Sequence, residues 1–209
     1  MPAQKVTPQR IVEISLDLFS QQGYLGCSMN DIAAACGIQK ASLYHHYASK
    51  AELLKAAVLH LMSLFEMHVF SYAHAVQYGP EERMRVMLDG LSYYGLERNY
   101  STLLVRVGAE AYHDVPELTP LLSSYYDAWQ QAFAHLFLEA GHMQPNRSAL
   151  QCLCELQGAL LVSSLQRRPE LYTQAAHHVM QRLGWHGSGS SVSAGAPLAA
   201  GTSANIGSY

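Results

Sequence analysis

The chain has 209 residues, 49% of them hydrophobic and only 14% charged. That excludes a disordered protein and supplies enough apolar material for a sizeable core. The net charge is −3, so the molecule is no blanket polycation, and any contact with nucleic acid must come from a local patch. Residues 1–60 carry five Lys/Arg against four acids, and residues 61–209 carry eight against twelve. The N-terminal part is therefore the one biased toward an anionic partner.

Strand signals are nearly absent, whereas helical periodicity recurs throughout, so the fold class is all-α. The first helix opens on Thr7 as N-cap with Pro8 in the first turn. It carries Ile11, Ile14, Leu18 and Phe19 on one face and ends at Gly23. A short second helix starts at Ser28, with Asp31 three residues on, and stops by Gly37. A third runs from Gln39 to His46. Ser49 and Glu52 open a fourth that reaches toward Tyr78, where Gly79-Pro80 breaks it. Five further helices are predicted over 80–97, 101–114, 116–141, 146–166 and 169–184. The domain division that follows is 1–50, 51–185 and a Gly/Ser/Ala-rich tail, 186–209, expected to be flexible.

The second and third helices flank Cys36-Gly37-Ile38, a tight Gly-containing turn of the helix-turn-helix kind. At 1.5 Å per residue, an eight-residue third helix is about 12 Å long, which matches the ~12 Å width of the DNA major groove. Ile38, Leu43 and Tyr47 can face a core. Gln39, Lys40, Ser42, Tyr44, His45 and His46 can face outward.

The pieces Leu18-Phe19, Gly23, Ser28, Asp31-Ile32-Ala33, Gly37, Lys40, Leu43-Tyr44, His46-Tyr47, Ser49-Lys50 and Leu53 resemble the N-terminal domain of the TetR family of bacterial repressors. The resemblance covers about residues 8–58. It implies a homodimer that binds a palindromic double-stranded operator through this domain and a small-molecule effector through the larger C-terminal one. By position, Tyr44, His45 and Lys50 would touch phosphates. Ser28 would cap the second helix and reach a phosphate, while Gln39, Lys40 and Ser42 would face base edges. Gln39 stands where Ser or Thr is common in the family, and Ala41 where Gly is common.

The resemblance also implies dimerisation through the last two helices. Leu156, Ala159, Leu160 and Ser163 form a face of one, and Ala175, Val179 and Leu183 a face of the other. The same faces could equally bury against their own subunit. The effector site is expected among the fourth to eighth helices, rich in aromatic and Met residues. Its candidates are Phe65, Met87, Leu91, Tyr94, Arg106, Tyr126, Trp129, Gln130 and Phe133. Tyr126, Gln130 and Phe133 share one face, a stripe met more often in a plain core than in a pocket wall, and the composition suits an apolar or aromatic effector. Arg106 either pairs with Glu110 one turn on or clamps a ligand carboxylate.

Four cysteines, at 27, 36, 152 and 154, form no CxxC, which fits a reducing cytoplasm. The N-terminus has no signal-peptide pattern. No run of 18 consecutive apolar residues occurs, and the best candidate, 149–165, is interrupted by Gln151, Glu155 and Gln157, so no membrane association is expected. Two Glu-x-x-His pairs, Glu110/His113 and Glu139/His142, would lie about 35 Å apart along a helix and cannot share a metal. Cys152 and Cys154 point to different helix faces. With no phosphate-binding loop and no nucleophile motif, neither a metal, a cofactor nor a catalytic residue is expected. The reading is a ligand-responsive DNA-binding repressor. The alternative is a helical small-molecule-binding protein or enzyme with a vestigial helix-turn-helix.

Overall fold

The first helix, α1 (Pro8–Gly26), starts as its caps dictate: Thr7 Oγ1 accepts the Arg10 N–H at 3.2 Å, and Pro8 sits where no backbone donor is needed. This computed structural model describes residues 6–184; the predicted tail lies outside them. Ile11, Val12, Leu16 and Phe19 are buried, while Ile14 and Leu18 are half-buried, so the core-facing stripe is rotated slightly from the one expected. Gly23 does not end the helix. It breaks it with φ +79°, and a further turn follows to Gly26.

Next come α2 (Met29–Ala35) and α3 (Lys40–His46). The turn between them is a Schellman motif: Ile38 N–H reaches the Ala33 carbonyl and Gly37 N–H the Ala34 carbonyl, both at 3.0 Å. Gly37 has φ +65° with open space where a Cβ would stand, so the glycine serves the backbone conformation alone.

The fourth helix, α4 (Lys50–His68), is capped by Ser49, whose hydroxyl accepts the Glu52 N–H. It stops ten residues short of the expected Tyr78. Val69 leaves the helical region and a 3-10 turn, Phe70–His74, folds Phe70 and Ala73 into the core. Gly90 permits this bend, since a Cβ there would lie 2.9 Å from Val69 Cγ2. The remaining helices are α5 (Pro80–Ser92), α6 (Tyr100–Glu110), α7 (Leu118–Glu139), α8 (Pro145–Gln166) and α9 (Glu170–Leu183). A π-helical turn, Tyr93–Glu97, follows α5 where one unbroken helix was expected. No strand occurs among the described residues.

One apolar core runs from Ile11 in α1 to Leu183 in α9, with Phe65, Trp129, Phe133 and Phe137 among its fully buried side chains. The helix-turn-helix joins it through α1, which packs on both α4 and α6. The α6 contact is polar and specific. Arg106 donates to the Phe19 and Ser20 carbonyls at 2.8 and 2.6 Å, and Glu110 accepts the Leu25 N–H at 3.0 Å. Below them, Arg98 and Tyr100 both donate to Asp17 Oδ1 at 2.8 Å.

A second buried tie holds the 3-10 turn. Arg83, only 2% exposed, donates to the Ala73 carbonyl and pairs with Glu139, which also accepts from His135 at 2.8 Å when that ring nitrogen carries a proton. The hydrogen bond from Arg83 holds the Glu139 carboxyl below its ordinary value of 4.5. A depressed carboxylate pKa contributes stability at pH above the unfolded value, and that stability is lost as pH falls through the folded one. Glu139→Gln is therefore expected to flatten the fall in Tm below pH 4.5, relative to the parent. Superimposable Tm–pH curves would show that the pair contributes no such linkage.

Candidate nucleic-acid interface

Leu43, fully buried, is the single buried residue of α3. Gln39, Lys40, Ser42, Tyr44, His45 and His46 all project outward, as the spacing requires. Tyr44 is 44% exposed, and the Lys40 ammonium stands 5.8 Å from its ring centroid. Gln39 is the N-cap residue but makes no side-chain cap, which leaves its amide unengaged by the helix end. The face thus presents amide, ammonium, hydroxyl, phenol and imidazole groups on one short rigid element. These are the donor types that meet phosphates and base edges.

Ser28 is committed to the protein. Its hydroxyl accepts the Asp31 N–H, and the Asp31 carboxylate takes both the Ser28 N–H and the hydroxyl proton, at 2.9 and 2.6 Å. These bonds hold the Asp31 carboxyl below the usual range. Lys50, which the resemblance placed on a phosphate, lies against the end of α1 in this structure. Its Nζ donates to the Tyr24 and Cys27 carbonyls at 2.9 and 3.1 Å and stands 4.1 Å from the Tyr24 ring centroid. It clasps the end of α1 rather than reaching outward.

The expected effector residues are not brought together around a void. Phe65, Met87, Leu91, Trp129 and Phe133 are core, while Tyr94, Tyr126 and Gln130 are half-buried. Arg106 is engaged with α1, and its Nε stands 3.8 Å from Glu110. Two open clefts lie elsewhere. One, of about 260 Å³, is lined by Met62, Ser63, Glu66, Phe70, Tyr125 and Ala128. The other, of about 420 Å³, lies among Leu96, Asn99, Ser163, Ser164, Arg167 and Pro169. None of the expected effector residues lines either cleft; Tyr125, rather than the expected Tyr126, is the buried one of that pair.

The expected dimer residues are also corrected. Leu156, Leu160, Ser163, Ala175, Val179 and Leu183 are buried within the subunit and Ala159 is half-buried. Ser163 accepts the Tyr172 N–H across the α8–α9 turn. The free stripe of α8 is instead Leu150, Cys154, Gly158, Val162 and Leu165, which recur at helical spacing and are all exposed. Cys27, Cys36 and Cys152 are buried and Cys154 is exposed. Burial pushes the first three thiols up, Cys152 to about 11. Among the described residues no group of three or more His, Cys, Asp or Glu is placed to hold a metal ion.

Residues 11–57 match the family model described as "Bacterial regulatory proteins, tetR family". Over these residues the chain is similar to the TetR family. The chain is 38% identical over 56 residues to the biofilm operon icaADBC negative transcriptional regulator IcaR of Staphylococcus epidermidis, a match spanning 27% of this chain and 30% of that protein. Against IcaR of Staphylococcus aureus the identity is 23% over 183 residues, covering 78% of this chain and 94% of that one. The fold is shared with a TetR transcriptional regulator from Legionella pneumophila at TM-score 0.74 and 18% identity, over 87% of this chain and 99% of that one. It is also shared with AibR, solved with isovaleryl coenzyme A and operator DNA, at TM-score 0.62 and 24% identity, over 84% and 96%.

The two lysines of this region are expected to behave oppositely in denaturant unfolding. Lys50→Met removes two charge-assisted bonds and should cost roughly 1–3 kcal/mol. Lys40→Met, on the outward face, should change stability by less than about 0.5 kcal/mol. Equal effects on stability would remove the distinction between the internal clasp and the free face.

Proposed function

We propose that this chain is a TetR-family regulator, a cytoplasmic, ligand-responsive repressor that binds a palindromic operator as a homodimer. The observation that carries the reading is the outward face of α3. It keeps Gln39, Lys40, Ser42, Tyr44 and His45 free of internal duties while Leu43 alone anchors the helix. A vestigial helix-turn-helix would have no reason to keep these groups exposed and its capping box and Schellman turn intact. Gln39 suits bidentate reading of adenine, and Lys40 suits guanine. Tyr44 and His45 suit phosphates.

Dimerisation is supported by α8. Over an 18-residue window the Pro145–Gln166 helix has a mean hydropathy of 1.2, yet only 33% of that window is buried in the subunit. Lys50–His74 has a comparable composition and is more deeply buried. An apolar helix left this open calls for a cover, and a second copy related by a two-fold axis is the economical one. Gly158 in the middle of the stripe leaves room for two helices to approach closely. Two α3 helices would then face successive major grooves. The relatives named for negative regulation, and the neighbour solved with an acyl-coenzyme A and operator DNA, support repression relieved by a small molecule. Whatever the effector does to DNA affinity, DNA must do equally to effector affinity.

Tyr44→Ala should weaken binding to the selected operator about tenfold or more, a loss on the order of 1.4 kcal/mol, with an unchanged melting curve. Lys40→Ala, as a base reader, should relax sequence choice more than it lowers affinity for random duplex. Unchanged operator affinity in both variants would contradict the assigned face. Separately, Leu165→Glu should shift the sedimentation equilibrium from dimer toward monomer; a dimer as tight as the parent would move the interface away from α8.

A further inference from the structure

We propose that the cleft between the π-helical turn and the α8–α9 junction is a binding site for a small organic anion. The inference rests on the effector-binding reading above and names the ligand class. The π-helical turn packs against α8. The space left beside that contact, about 420 Å³, is lined by Leu96, Asn99, Ser163, Ser164, Arg167 and Pro169.

Each polar side chain of this lining has a donor to spare. Ser163 is only 2% exposed. Its oxygen accepts the Tyr172 N–H at 3.1 Å, and its hydroxyl proton meets no acceptor among the described residues. Asn99 turns its amide oxygen to the Thr102 hydroxyl at 2.6 Å, which leaves its NH2 group unspent. Ser164 is half-buried and Arg167 exposed, and neither side chain makes a hydrogen bond or ion pair among the described residues. None of the lining residues carries a carboxylate. The neighbouring charges are engaged elsewhere or stand outside the lining: Arg168 pairs with Glu170, Arg98 pairs with Asp17, and Glu97 is exposed beside Leu96. Three neutral donors and an uncompensated guanidinium on one cleft suit an anion, and the planar fork of arginine fits a carboxylate or a phosphate.

The backbone is unusual on both walls. Asn99 and Arg167 have φ +57° and +54° and are the only non-glycine residues of positive φ among the described residues. That region is unfavourable for a residue with a Cβ, and such outliers gather at ligand sites. Arg167 ends α8 at a position that helices commonly give to glycine, and α9 does end on Gly184, at φ +108°. The structural duty of Arg167 there is its N–H, which reaches the Ser163 carbonyl, and glycine would perform it without strain. The side chain is what accounts for an arginine in that place. The volume lies within the range of small-molecule pockets, and Leu96 and Pro169 offer apolar surface, so the ligand joins one anionic group to a short apolar body.

The test titrates benzoate, phenyl phosphate and benzamide into the full-length protein by calorimetry. Benzoate and benzamide share a shape and differ in charge. At least one of the two anions is expected to bind about tenfold or more tighter than benzamide, and the tighter of the two identifies the head group. Arg167→Gly removes the guanidinium while relieving the backbone, so it should abolish that preference in a protein whose Tm equals or exceeds the parent's. Arg167→Lys, which keeps the charge, should retain part of it. Benzamide binding as tight as both anions, no binding of any probe, or a preference that survives intact in Arg167→Gly would overturn the assignment. Binding of the unliganded protein to duplex DNA, measured on the same sample, separates this from the regulator reading. Intact DNA binding with no anion preference refutes the anion site alone. Anion preference without DNA binding upholds the site and refutes the regulator.

Discussion

The last turns of α1 leave backbone carbonyls that the helix itself cannot satisfy, and the rest of the molecule is organised around meeting them. Lys50, from the first turn of α4, takes the carbonyls of Tyr24 and Cys27. Arg106, from α6, takes those of Phe19 and Ser20, and Glu110 takes the Leu25 N–H on the far side of the Gly23 break. Gly23 is needed because a Cβ would sit 2.8 Å from both Glu110 carboxylate oxygens, and because its φ is +79°. A positive charge at a helix C-terminus is favoured by the macrodipole as well as by the hydrogen bonds. The same few atoms therefore cap a helix, fasten the small helices to the bundle and fix the direction in which α3 points.

That arrangement has a mechanical consequence. The helix-turn-helix is stiff, because Ser28–Asp31 closes one end of α2 and the Schellman turn at Gly37 closes the other. It moves as a unit or not at all. The joint to the bundle is a limited set of polar bonds to α1 together with apolar packing on α4 and α6. A ligand that repositions α4 or α6 by a small amount would re-aim α3 without deforming it, which is the requirement for changing the spacing of two reading heads.

The helix-turn-helix was legible because its signals are local. Ser28 three residues before Asp31, Gly37 between two short helices, and Ser49 before Glu52 each specify a cap or a turn through neighbours in sequence, and each is found as expected. The single buried residue of α3, Leu43, was legible from periodicity for the same reason. The bundle was less legible because its decisive contacts are distant in sequence. The end of α4 at His68 depends on Gly90 admitting Val69. The role of Arg106 depends on carbonyls more than eighty residues away. Lys50 was placed on a phosphate by the family resemblance, and nothing local announces two carbonyls within its reach. On α8, the apolar residues fall into two stripes. Periodicity cannot say which one the subunit keeps; Leu156 and Leu160 could serve either a dimer face or the subunit's own core, and Leu150, Val162 and Leu165 are the ones left exposed.

The central claim is that two copies of α3, carried by a two-fold dimer, read a specific duplex. The most direct measurement is selection of bound sequences from a random duplex DNA pool by the purified full-length protein at near-physiological salt. The expected result is an enriched palindrome whose half-sites lie about one helical turn, or a multiple, apart, with affinity that falls as salt rises. A dimeric, folded protein that enriches no sequence, and still enriches none after unfolding and refolding to strip any bound ligand, would contradict the account.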